Sequence, residues 1–175
     1  WDLHRARAEE SSGAPVANWL KQFPVLELKK RGVLPNVKDE PVLAEAMLSF
    51  LELGSIDACQ AAMREWRPHY RHAKRFESSP EALRVWLQLG KQEAEKVDSA
   101  IFDRDRFLAC TKRIRSLTRL SPDQFIPKLR DECAGAGVRV VFVKPFKWTR
   151  LSGAAFWPTA GRGPIIQLSL RHKTN

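Results

Sequence analysis

The stretch Ser121-Pro-Asp-Gln-Phe-Ile-Pro-Lys-Leu-Arg-Asp-Glu-Cys-Ala-Gly-Ala-Gly-Val-Arg-Val-Val-Phe-Val143 changes its period two thirds of the way along. Up to Cys133 the apolar residues Phe125, Ile126, Leu129 and Cys133 fall at helical spacing, and Ser121-Pro122-Asp123-Gln124 reads as a capping box that opens the helix. Pro127 should kink it. After Gly135-Ala136-Gly137 the run Val138 to Val143 is rich in β-branched and aromatic residues, which favour extended backbone. Two further strand candidates follow, Leu151 to Trp157 and Pro164 to Leu170, with hairpin-type residues at Pro158 to Gly163 between them. Everything upstream carries helical punctuation. The order of elements therefore predicts an α+β fold, about six helices followed by a small three-stranded antiparallel sheet.

Working back from Ser121, Phe107, Cys110, Ile114 and Leu117 are spaced three, four and three apart, which predicts a helix over roughly Asp103 to Thr118. Ser79 before Pro80 and Glu81 opens another that should run to about Val97. Ser55 can cap a helix from Ile56 to about Trp66, which Pro68 should end. Asp39 can cap one carrying Leu43, Met47, Phe50 and Leu51, and a short helix beginning at Pro24 should stop at Gly32. Residues 1–18 are polar, without a sustained period, and read as a linker or frayed helix. The expected divisions are 1–18, a helical region over 19–120, and the α+β part over 121–175.

Of the chain's 175 residues, 30 are Lys or Arg and 20 are Asp or Glu, a formal net charge of +10. Residues 1–100 hold 15 of each sign, so 101–175, with 15 basic and 5 acidic side chains, supply the whole excess. No carboxylate follows Glu132, which excludes a carboxylate acid/base pair or a carboxylate-rich metal site in the last 43 residues. Such a basic tract points to an acidic partner and says nothing of fold. No apolar run reaches the roughly 20 residues of a membrane span, and no signal segment opens the chain, so a cytoplasmic protein is expected. Cys59, Cys110 and Cys133, odd in number and set among helical apolar positions, read as reduced core thiols. The missing initiator Met and the stop just after a strand-like run read as cut ends.

Three constellations could carry chemistry. Glu65, His69 and His72 would share one face of an unbroken helix at a spacing able to hold zinc, but Pro68 lies among them, and a solvated basic turn is the plainer reading. Ser152-Gly153 offers a small, permissive site, yet a nucleophile there would need a base that no residue supplies. Nucleic-acid or acidic-partner binding has two footprints. One is the helix carrying Lys112, Arg113, Arg115 and Arg119, extended by Lys144, Lys147 and Arg150 in the loop before the second strand. The other is Trp66-Arg-Pro-His-Tyr-Arg-His-Ala-Lys-Arg-Phe76. The competing reading of both is a solvated face over buried rings.

The run Phe125 to Val143, then Thr149-Arg-Leu-Ser-Gly-Ala154, then Pro164-Ile-Ile-Gln-Leu-Ser-Leu-Arg-His-Lys-Thr174, resembles the ImmA/IrrE metallo-endopeptidase family. The resemblance is to its helix-turn-helix-fused subgroup, often labelled HigA-like antitoxins or plasmid-maintenance regulators. Trp19-Leu-Lys-Gln-Phe-Pro24, Leu28-Lys-Lys-Arg-Gly32 and Phe76-Glu-Ser-Ser-Pro-Glu-Ala-Leu-Arg-Val-Trp-Leu87 resemble that subgroup's helical region, so the likeness covers about residues 19–174. In the family the strand matching Pro164 to Leu170 leads into a helix bearing H-E-x-x-H, whose two His bind zinc and whose Glu activates water. Residues 1–175 contain no such motif.

The resemblance thus implies a non-catalytic fragment of a DNA-binding transcriptional regulator or antitoxin. It implies no catalytic or metal residue and no cofactor in this chain, zinc belonging to the complete family domain. The implied partners are DNA, through an upstream domain, and a repressor-type substrate or a toxin. A homodimer is compatible with this and a membrane is not expected. A peptide could add to a sheet edge at Ser152 and Gly153, or at Ile165, Gln167 and Ser169. The alternative is a stand-alone nucleic-acid- or protein-binding module that uses the basic helix.

Overall fold

The protein is seen in a computed structural model that describes residues 13–71, 79–117, 119–146, 152–158 and 163–169. Among them lie seven helices: α1 Gly13–Leu20, α2 Val25–Lys30, α3 Glu40–Phe50, α4 Ile56–Arg71, α5 Pro80–Glu95, α6 Arg104–Leu117 and α7 Pro122–Gly135. Three strands follow, β1 Arg139–Phe142, β2 Gly153–Phe156 and β3 Ile165–Leu168. The α+β class holds. The chain divides into two compact units, residues 1–88 with 146–150, and residues 89–145 with 151–175.

Most helix starts follow from their caps. Asp39 accepts from the Val42 amide at 3.0 Å, Ser55 from Ala58 at 3.1 Å, and Ser79 from Ala82 at 3.0 Å, each satisfying an amide that the first helical turn leaves without a partner. At α7 the expected capping box does not form, because Ser121 makes no side-chain cap bond and Pro122 takes the first helical position instead. Pro127 lies inside α7 without ending it. Helix α4 likewise runs through Pro68 to Arg71, past the expected stop at Trp66, since proline removes one hydrogen bond without forbidding helical backbone on both sides. Residues 13–18, read as part of a linker or frayed helix, belong to α1, where Val16 is buried.

In the first unit the core is helix against helix. Trp19, Leu28, Met47, Val85 and Trp86 are each at most 2% exposed, and Trp19 meets Phe23 edge to face at 5.1 Å between centroids. The Arg31 guanidinium sits 4.4 Å from the centre of the buried Phe146 ring, a cation–π contact.

The second unit holds the sheet, whose order is β1-β3-β2, with β1 parallel and β2 antiparallel to β3. This corrects the expected antiparallel arrangement. Strands adjacent in sequence would form a meander, but here the chain between β1 and β3 carries β2 to the far side and returns, leaving β3 central. One sheet face, with Val140, Phe142, Ile166 and Leu168, packs on Cys110 of α6 and on Leu129 and Cys133 of α7. On the other face Gln167, fully buried, lies against Gly90 of α5, where a Cβ would overlap its side-chain amide. Burial on both faces explains why β1 reads as a continuous apolar run broken only by Arg139. Gly137, which joins α7 to β1, has φ +79°, and a Cβ there would overlap the backbone of Phe102.

Candidate functional site

Helix α6 carries five cations, Arg104, Arg106, Lys112, Arg113 and Arg115, against one acid, Asp105. Its start is set by Asp103, whose carboxylate accepts from the Arg106 amide at 2.9 Å. The packing of Cys110, with Phe107 and Ile114, against α7 and the sheet fixes which way the helix faces. Its cations then separate into two groups. Arg106 and Arg113, seven residues apart, line a cleft of about 360 Å³ with Ala109, Asp131, Glu132, Gly135 and Ala136. There the Arg113 Nε donates to Glu132 of α7 at 2.7 Å, and Arg106 lies 3.7 Å from the Asp103 carboxylate. The cleft is therefore nearly balanced in charge. Arg104, Lys112 and Arg115 are exposed elsewhere on the helix, and Arg119 is exposed in the turn that follows it.

The four helix-borne residues expected on one basic face are thus divided, Arg113 being engaged across the α6–α7 cleft. Of the loop cations Lys144 is exposed, while Lys147 and Arg150 lie outside the described residues.

The expected peptide edge is corrected in part. Ile165 and Gln167 sit on the central strand, with β1 on one side and β2 on the other, and the Ser169 amide donates to the Ser152 carbonyl at 3.0 Å. Ile165 and Gln167 therefore have no open edge to offer. Gly153 starts β2, which is an edge strand among the described residues. Immediately after it Trp157 is 64% exposed and stacks edge to face on Phe102, with centroids 5.1 Å apart.

For the metal triad, Glu65 and His69 fall on helical backbone of α4 and His72 lies outside the described residues, so the arrangement of their side chains is not described. Among the described residues no group of three or more His, Cys, Asp or Glu comes together. The resemblance implies zinc for the complete family domain and no ligand for it in residues 1–175.

All three cysteines are buried free thiols. Cys110 and Cys133, 23 residues apart in sequence, bring their Sγ atoms to 3.9 Å across α6 and α7. Burial, with Cys110 the next largest influence, pushes the Cys133 thiol up from 9.0 to about 12. Burial also raises the Cys59 thiol, against the lowering effect of Arg84. Neither is poised as a thiolate nucleophile.

The burial of two residues escaped sequence reasoning. Arg139, 2% exposed, donates from Nη1 to the Ala94 carbonyl at 3.3 Å and from Nη2 to the Gly163 carbonyl at 2.9 Å. One cation of the basic tract is thus structural. Gln167 is the other, a buried polar residue on a central strand. The Val-Arg-Val-Val and Ile-Ile-Gln-Leu contexts were the available signals, because a polar residue inside a strand covered on both faces must be buried.

No helix of the described residues is long and apolar enough to cross a membrane. No family model, no curated protein and no solved structure matches the chain.

Proposed function

We propose that residues 1–175 are the helical region and the non-catalytic support of a zinc-peptidase domain of the ImmA/IrrE kind, within a cytoplasmic DNA-binding regulator or antitoxin. The observation that carries this reading is the order α7–β1–β2–β3, with β3, the strand whose counterpart in that family leads into the H-E-x-x-H helix, at the centre of the sheet. A central strand held on both sides, buried on one face and partly buried on the other, suits an element that must fix the start of a metal-bearing helix. In this reading the chain's own residues supply rigidity: β1 and β2 clamp β3, Gln167 fits against Gly90, and Arg139 ties β1 to α5 through the Ala94 carbonyl. In this reading the zinc chemistry, the readout of a DNA sequence and the recognition of a repressor or toxin are not assigned to these residues. The test is the coding sequence after the Asn175 codon. An H-E-x-x-H soon after that codon supports the reading, and a stop codon or a segment without that motif overturns it.

A further inference from the structure

On α6 a residue advances about 100° around the axis and about 1.5 Å along it. Arg104, Leu108, Lys112 and Arg115 therefore fall within an arc of about 80°. All four are exposed, Leu108 at 49%, and Arg119, also exposed, follows in the turn after the helix. From Arg104 to Arg115 the row covers about 16 Å of helix. Arg106 and Arg113, directed to the α6–α7 cleft, lie about 150° away around the axis. Packing of Cys110 into the core keeps this outward face of α6 turned from the sheet.

We propose that this face, Arg104, Lys112, Arg115 and Arg119, is a binding surface for the phosphate backbone of duplex DNA, without readout of sequence. Charge complementarity selects a polyanion. The composition of the row narrows the kind. A protein helix or groove partner takes apolar anchors at successive turns, and here Leu108 alone interrupts the cations. Single-stranded nucleic acid is held by rings on which bases stack, and the row carries no aromatic residue. The cations Arg104, Lys112 and Arg115, about 12 Å and then about 4.5 Å apart along the helix axis, can each meet a phosphate of a duplex backbone without a base contact. The proposal does not depend on the peptidase-support reading, since it concerns α6 alone.

The experiment measures anisotropy of a labelled random-sequence 20-base-pair DNA against the 175-residue protein from 50 to 200 mM salt. Four phosphate contacts predict a log–log slope of about −3.6, which is about a hundredfold loss of affinity over that range. The K112A/R115A/R119A variant should fall to a slope of about −0.9, a loss of only three- to fourfold. K112R/R115K/R119K should keep the parent slope. R106A/R113A, which removes as many as two cations from the cleft instead, should leave it unchanged. The proposal is overturned if the duplex is not bound at 50 mM salt, or if R106A/R113A lowers the slope as the outward variant does. Tighter binding of the single strand overturns it too, as does polyglutamate competing as well as duplex, an outcome that would assign the face to an acidic protein. Thermal melting of each variant, expected to match the parent, separates loss of binding from loss of fold.

Discussion

The first unit fills its core with large side chains at helical spacing, whereas the second brings backbone close to backbone and buries polar groups. Trp19, Leu28, Met47 and Trp86 lie on helices whose period announces them. In the second unit the decisive positions are Gly90, which admits Gln167, and Gly137, which admits Phe102. The difference teaches that a core built on volume is readable from pattern, while a core built on close approach depends on residues that are remarkable for what they lack. It also makes opposite substitutions damaging, removal of volume in one unit and addition of a single methyl in the other.

That contrast can be broken directly. Trp86→Ala empties a fully buried site and should destabilise by about 3–5 kcal/mol. Gly137→Ala adds one carbon yet should cost nearly as much, about 2–4 kcal/mol, because strain at positive φ adds to overlap with the Phe102 backbone. Urea unfolding checks both, and a Gly137→Ala protein as stable as the parent would remove the distinction between the units. Next in size, Gly90→Ala should cost about 1–3 kcal/mol by crowding Gln167. Gln167→Ala combined with it should recover part of that loss, giving a favourable coupling in a double-mutant cycle. Strict additivity would mean that the α5–β3 approach does not limit packing.

The smallest effect separates the units by pH. A thiol whose folded pKa is raised binds its proton more tightly in the native state, so its contribution is complete below about pH 9 and is lost as pH rises toward 12 for Cys133. Stability should therefore fall over that window. Cys133→Ala should flatten the fall more than Cys59→Ala does, measured by urea unfolding between pH 8 and 11. Equal slopes in both variants would contradict the deeper perturbation at Cys133.

Much of the fold was legible because its signals are local. Asp39, Ser55 and Ser79 marked helix starts that their side-chain bonds explain, and the change of period at Gly135-Ala136-Gly137 marked the passage from helix to strand. Strand order was not legible, because Val138 to Val143 and Pro164 to Leu170 look alike whether they pair in parallel or not, and pairing is decided by where the intervening chain travels. For the same reason Ile165 and Gln167 were expected at an edge and lie at the centre. The cations of α6 were visible as a set, but their division depends on Glu132, nineteen residues from Arg113 and on another helix. The approach of Cys110 to Cys133 is likewise a property of helix pairing that neither spacing alone contains.

The central proposal is that these residues support a metal site without forming one. Zinc per polypeptide, measured by mass spectrometry after exhaustive dialysis, tests it on the 175-residue chain and, where the reading frame continues past the Asn175 codon, on a second, longer protein. The account predicts no retained zinc in the first and one zinc per chain in the second. Stoichiometric zinc in the 175-residue chain would contradict it and direct attention to Glu65, His69 and His72, as would absence of zinc from the longer protein.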